Sequence, residues 1–186
     1  DNQRVGEAIM AQLHQLGHVS NFFATEAQVR LAERLAAAAS DDGDARVFFT
    51  NSGTEANETA MKVTRLTGRT RIVAMEGSFH GRTSAALAVT HNPKYREPFA
   101  PYANEVEFVT LGDEAALQSA VDDRTAAVLL EPIQGESGIR PVPESFLKLA
   151  RSLTREKGAL LIFDEIQTGV GRTGTFLASE PSGVQP

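Results

Sequence analysis

The sequence predicts an α/β fold, a mostly parallel sheet with helices flanking it. From Arg46 onward, short apolar runs of strand length alternate with stretches of helical period. Polar, glycine-containing segments follow several of those runs, as at the carboxyl ends of parallel strands where ligands bind. The length of 186 residues, with 41% hydrophobic and 23% charged side chains, is enough for one sizeable core.

The elements read in order. Val5, Ala8, Ile9, Leu13 and Leu16 share one helical face, and Gly17 ends that helix. Thr25 with Gln28 resembles a capping box that opens a second helix through Ala39. The segment Asp41 to Asp44 is expected as a solvated turn; its ligand spacing does not suit a metal. Val47 to Phe49 is expected as a short buried strand, followed by a helix from Gly53 to Gly68. Ile72 to Met75, Val106 to Val109, Ala127 to Leu130 and Leu160 to Phe163 read as strands. Helices are expected at Ala115 to Val121 and at Ser145 to Lys157, the latter stopped by Gly158.

Composition removes several function classes. A net charge of −6 argues against a general binder of nucleic acid or anionic membrane. With no cysteine, thiol nucleophiles, disulfides and cysteine-based zinc sites are excluded, and a cytoplasmic setting is compatible. No apolar run reaches spanning length, and no signal-peptide pattern is present. The chain begins at Asp1 inside a helical pattern, so it is expected to be a piece of something longer.

Three segments carry chemistry. In the first, Leu160 to Phe163 delivers Asp164 to the end of a buried strand. A desolvated carboxylate requires a positive partner, and no Lys or Arg follows before Arg172, so a cationic ligand is one candidate. In the second, Gly53 and Thr54 stand between a strand and a helix, either as an anion seat or as an ordinary N-cap begun by Asn51 or Ser52. The third runs from Ser78 to Thr83. There Phe79 either stacks on a planar ligand or anchors its loop, and Arg82 either grips a carboxylate or forms a surface ion pair. His80 lines the same site or is structural. Glu131 and Glu136 add two carboxylates in the loop after another buried strand; no spacing rule makes them an acid–base pair. A P-loop reading fails: Gly77 to Thr83 has one residue too few between glycines, and Arg82 stands where lysine is required.

Taken together, Ser52 to Asn57, Phe79 to Thr83, Leu130 to Glu136 and Asp164 to Gly169 resemble the class III (ornithine-type) aminotransferases. These are fold type I pyridoxal phosphate enzymes, and the resemblance runs from Leu16 to Pro186. It implies that residues 1–186 are part of the large pyridoxal-phosphate-binding domain, truncated before the Schiff-base lysine and without the small C-terminal domain. It implies that Gly53 and Thr54 bind the cofactor phosphate, that Phe79 stacks on the ring, and that Asp164 pairs with the ring nitrogen. Glu165, Ile166 and Gln167 would lie beside the cofactor, Gln167 near the ring hydroxyl. Arg82 would hold the substrate carboxylate, Glu136 would act as a gate between half-reactions, and Glu131 would sit at the pocket edge. Asn21 and Phe22 would approach the site or a homodimer interface.

The implied reaction is transamination from N-acetylornithine to 2-oxoglutarate in arginine biosynthesis. Ornithine, succinylornithine, 4-aminobutyrate or a lysine-pathway precursor are alternative donors. The family lysine is expected roughly thirty residues beyond Asp164. The lysines present, Lys62, Lys94, Lys148 and Lys157, match none of the motifs, so these residues alone are expected to be inactive. A non-catalytic module that retains the fold is the rival from another class; the intact motifs oppose it.

Overall fold

The structure is a computed structural model that describes residues 2–20, 22–40 and 43–186. Its contacts divide the chain into two compact units, Asp1–Val47 and Phe48–Pro186.

The first unit holds two helices. α1 (Gln3–Gln15) is capped by Asn2, whose side chain accepts from the Arg4 and Val5 N–H groups. α2 (Glu26–Ala39) starts as the capping pattern predicts: Thr25 Oγ1 accepts the Gln28 N–H at 3.4 Å, and the two side chains meet at 3.3 Å. Neither helix buries a residue, and the apolar stripe of α1 is open, with Val5 56% and Ile9 60% exposed. Of the acidic turn, Gly43 takes a positive φ of 72°; Asp41 and Asp42 lie outside the described residues, as does Asn21. Phe22 is exposed.

The second unit is a parallel α/β sandwich. α3 (Gly53–Thr64) passes through a 3-10 turn (Arg65–Thr67) to Gly68, and β1 (Arg71–Met75) follows. Next come α4 (Ser84–Ala88), α5 (Pro93–Arg96), β2 (Glu105–Val109), α6 (Glu114–Ala120) and β3 (Thr125–Leu130). A small antiparallel pair, β4 (Ile133–Gln134) with β5 (Arg140–Pro141), precedes α7 (Glu144–Lys157) and β6 (Leu160–Phe163). The main sheet has the order β2-β1-β3-β6, all parallel. The four strands expected from their apolar runs therefore exist, as do the helices ending near Val121 and Gly158. Gly158 stops α7 in the left-handed conformation at φ 63°, and Ala159 N–H returns to the Thr154 carbonyl at 2.9 Å.

Alternation along the strands explains the layers. Val73 and Met75, with Val128, Leu130 and Leu161, face α6 and α7 and pack on Leu117, Phe146, Leu147 and Ala150. Their neighbours Ile72, Ala74, Ala127 and Leu129 face the other way, onto Met61 of α3 and Ala85 of α4. A strand buried on both sides shows no polar alternation, which is why β1 and β3 read as unbroken apolar runs.

One expected strand is absent. Phe48 and Phe49 belong to no ladder, and Phe48 is 72% exposed. Strand-forming side chains make a strand only beside a neighbour with free N–H and C=O groups, and among the described residues none pairs with this segment. The Asn51 to Asn57 motif thus follows an irregular segment rather than a strand. The other motifs do follow strand ends: residues 77–83 follow β1, 131–136 follow β3, and 164–167 follow β6. All lie at the carboxyl edge of the sheet.

Candidate active site

Asp164 extends the ladder of β6, with its N–H donating to the Leu130 carbonyl at 2.9 Å, and its side chain is 6% exposed. Donors of this chain that lie far from it in sequence satisfy most of it. Oδ2 accepts His80 Nδ1 at 2.7 Å and Asn57 Nδ2 at 2.8 Å, and Oδ1 accepts the Ile166 N–H at 3.1 Å. Burial alone would raise this carboxyl. The His80 hydrogen bond and charge, the Asn57 amide and the Ile166 N–H outweigh it and hold the group below its ordinary value. Asn57 also donates to the His80 carbonyl at 2.8 Å, which ties the first turns of α3 to the β1 loop.

The β1 loop is fixed from behind. His80 N–H donates to Thr90 Oγ1 at 2.9 Å, and Thr90 donates to the Gly81 carbonyl at 2.9 Å. With Nδ1 donating to the carboxylate, His80 Nε2 is buried and unpartnered. Phe79 follows Ser78, whose hydroxyl donates to the Val89 carbonyl, and its ring meets Tyr95 edge-on at 6.4 Å.

Glu131 lines the cavity and is tied to the backbone. It is buried, and its two oxygens each accept one backbone N–H, Phe79 at 3.1 Å and Gly135 at 3.1 Å. Burial pushes its carboxyl up, against the pull of those two N–H groups and of His80. Spent on the backbone, Glu131 is no free acid or base; it brackets the Phe79 loop to the loop that carries Glu136. Glu165 likewise serves the chain itself. It accepts the Ala178 N–H at 2.6 Å, and the Ser179 N–H at 2.9 Å and hydroxyl at 2.7 Å, closing the 165–179 loop.

The remaining expected residues converge. A cavity of about 410 Å³ is lined by Gly53, Thr54, Phe79, Arg82, Glu131, Glu136, Asp164, Ile166 and Gln167, together with Asn57 and His80. Glu165 is not among its lining residues. A second cavity of about 240 Å³ adjoins it and shares Phe79 and Glu136. Close contacts set the walls. A Cβ on Gly53 would lie 2.7 Å from Ile166, and one on Gly135 would lie 2.0 Å from Gln167 Oε1. Ile166, 62% exposed, therefore leans on the start of α3, and Gln167 is seated against a glycine.

The donor set fits pyridoxal phosphate. At one place the buried carboxylate of Asp164 faces the cavity, suited to a protonated ring nitrogen. At another, the N-terminus of the 12-residue α3 presents the Gly53 and Thr54 N–H groups, suited to a phosphate. In the same cavity Phe79 and Ile166 supply apolar surface for a flat ring, and Gln167 a polar group for its edge. Asn57 and His80 complete the site; the sequence left His80 either lining it or structural and gave Asn57 no role. Asn57 stands one turn after Gly53 on the buried face of α3, a signal that was legible.

Comparison with known proteins agrees. The family model described as Aminotransferase class-III matches residues 1–186. An acetylornithine aminotransferase of Mycolicibacterium smegmatis is 55% identical over 180 residues, covering 97% of this chain and 46% of that protein. One of Methanosarcina acetivorans is 52% identical over 184 residues, covering 98% and 46%. Among solved structures, the ornithine aminotransferase from Toxoplasma gondii, with partial occupancy of pyridoxal phosphate at its active site, superposes with a TM-score of 0.89. It is 31% identical, over 100% of this chain and 46% of its own. The chain spans about half the length of the curated relatives it matches. With a family match from end to end and a cavity lined by the motif residues, the chain belongs to the class III aminotransferases.

Proposed function

We propose that this chain supplies much of the cofactor site of a pyridoxal-phosphate aminotransferase, as part of its large domain. The enzyme moves the δ-amino group of N-acetylornithine to 2-oxoglutarate, giving N-acetylglutamate semialdehyde and glutamate in arginine biosynthesis. The observation that carries the reading is Asp164: buried, held anionic by three donors, and facing a cavity beside a helix N-terminus.

Bound there, pyridoxal phosphate supplies an electron sink for the substrate carbon that loses a proton. Asp164 holds a proton on the ring nitrogen by charge, and His80 and Asn57 keep its carboxylate aimed. The Gly53 and Thr54 N–H groups anchor the phosphate, and Phe79 and Ile166 fix the tilt of the ring. Gln167 binds at the ring hydroxyl. Arg82, exposed at the cavity, binds the substrate carboxylate through its planar fork, and Glu136, also exposed, serves as the gate. Glu165 closes the loop that carries Ile166 and Gln167.

The four lysines lie outside the cavity, so residues 1–186 by themselves turn over no substrate. The active protein works as a homodimer. Among the described residues no helix is long and apolar enough to cross a membrane, and we place the enzyme in the cytoplasm.

Initial rates on N-acetylornithine, ornithine and 4-aminobutyrate test the substrate. A preference for N-acetylornithine is expected, and a clear preference for ornithine would overturn it. Dependence of the rate on added pyridoxal phosphate tests the cofactor.

A further inference from the structure

Three donors converge on one oxygen of Glu58, a residue one turn along α3 from Thr54. Glu58 Oε1 accepts the Thr83 hydroxyl at 2.7 Å, the Ala85 N–H at 2.8 Å and the Ala86 N–H at 3.2 Å. Backbone N–H groups only donate, so this oxygen is an acceptor, and the single hydroxyl proton of Thr83 is committed to it. Burial alone would raise the Glu58 carboxyl; the Thr83 hydroxyl, the two N–H groups and Lys62 bring it below its ordinary value. Thr83 Oγ1 also lies 2.8 Å from Thr54 Oγ1. With the Thr83 proton spent, Thr54 must supply the proton of that contact. The chain of hydroxyls therefore has one direction, from Thr54 to Thr83 to Glu58.

Gly81 fixes where the Thr54 oxygen sits. A Cβ on Gly81 would fall 2.2 Å from Thr54 Oγ1, and Gly81 has a φ of +133°, so only glycine lets the loop close on that hydroxyl. The Thr54 proton is used inside the latch. An anion at the start of α3 is met by backbone N–H groups and not by this hydroxyl.

We propose that Glu58 is a positioning residue: through Thr83 and Thr54 it latches the loop carrying Arg82 onto the phosphate seat, and it directs the Thr54 proton away from the phosphate. The proposal rests on the reading of the α3 N-terminus as that seat. It separates two affinities that a phosphate-donating Thr54 would join: the latch governs the grip of Arg82 on the substrate carboxylate, and the N–H groups govern the cofactor.

The experiment compares Thr54→Val, Glu58→Gln and Glu58→Leu in the active, full-length enzyme. The Kd for pyridoxal phosphate is read by calorimetry on cofactor-free protein, and the KM for N-acetylornithine by initial rates. Thr54→Val keeps the backbone N–H and removes one neutral hydrogen bond. It is expected to raise KM about two- to tenfold while weakening cofactor binding less than about threefold. Glu58→Gln retains an oxygen for all three donors and stays near the wild type in both quantities. Glu58→Leu raises KM about tenfold or more, with cofactor affinity again within about threefold. A Thr54→Val loss of more than about tenfold in cofactor affinity would show the hydroxyl donating to phosphate. That outcome overturns the latch and leaves the seat standing. Wild-type protein that binds no pyridoxal phosphate overturns the seat and the latch with it. Neutron diffraction of deuterated wild-type crystals decides without variants: a deuteron on Thr54 aimed at Thr83 supports the proposal, and one aimed into the cavity overturns it.

Discussion

Replacing Asp164 with asparagine tests the centre of the site without any cofactor. Asparagine offers one oxygen where aspartate offers two. If that oxygen takes the Oδ2 position, it still accepts from Asn57 and His80, but its NH₂ then faces the Ile166 N–H across 3.1 Å. The reversed amide is worse, since the NH₂ would face two donors. The variant loses one charge-assisted hydrogen bond, leaves a donor unpaired and weakens the other two bonds. Relief from burying a charge offsets part of this. The net loss is about 2–4 kcal/mol. In a chain of this size that lowers Tm by about 4–16 °C.

The pH dependence carries a definite sign. Asp164 is lowered from 3.8 in the fold, so its contribution is complete above about pH 3.8 and is lost as pH falls through the lower folded value. Urea denaturation of Asp164→Asn and wild type at pH 7 should therefore show the full gap, and the gap should narrow below about pH 3.8. A gap under about 0.5 kcal/mol at pH 7, or one unchanged down to pH 3, would refute the reasoning.

Gly135→Ala places a Cβ 2.0 Å from Gln167 Oε1, so it should displace that side chain and cost about 1–3 kcal/mol. Adding Gln167→Ala should recover most of the loss in a thermal-melt cycle; no recovery would place the clash elsewhere. For Glu131, raised from 4.5 by burial, stability is lost as pH rises from that value through the folded one. The difference between Glu131→Gln and wild type should move in favour of the variant as pH rises above about 4.5, and a flat difference in urea titrations would contradict this. At the opposite, amino end of the sheet, buried Arg71 binds Glu107 at 2.9 Å and Asp122 at 2.7 Å. Because those carboxylates are 44% and 43% exposed and can rehydrate, Arg71→Met should cost about 1–3 kcal/mol. It should leave pyridoxal phosphate affinity within about twofold; a larger change in affinity would show that the two ends of the sheet are coupled.

What was legible in this chain was whatever depends on near neighbours. Apolar runs ending in Met75, Leu130 and Phe163 mark strands because a doubly covered strand has no polar side, and Gly158 marks the end of α7 because few other residues take its conformation without strain. The error at Phe48 and Phe49 has the same root: their side chains suit a strand, but a ladder is made by a second segment that no local pattern names. The carboxylates show this most clearly. Asp164, Glu131, Glu165 and Glu58 look alike as acids beside motifs, yet the direction of each is set by donors distant in sequence. Asp164 is met from 84 residues away by His80 and from 107 by Asn57, while Glu131 reaches 52 residues back to the Phe79 N–H. Glu165 turns to N–H groups 13 and 14 residues on, and Glu58 to a loop 25 to 28 residues on. A buried loop must pair its N–H groups, and a carboxylate is the strongest acceptor available to it. In a glycine-rich loop region, then, an acid belongs first to the backbone, and lining a cavity does not by itself free it: Glu131 and Asp164 line the same one, yet Glu131 gives both oxygens to backbone N–H groups and Asp164 only one.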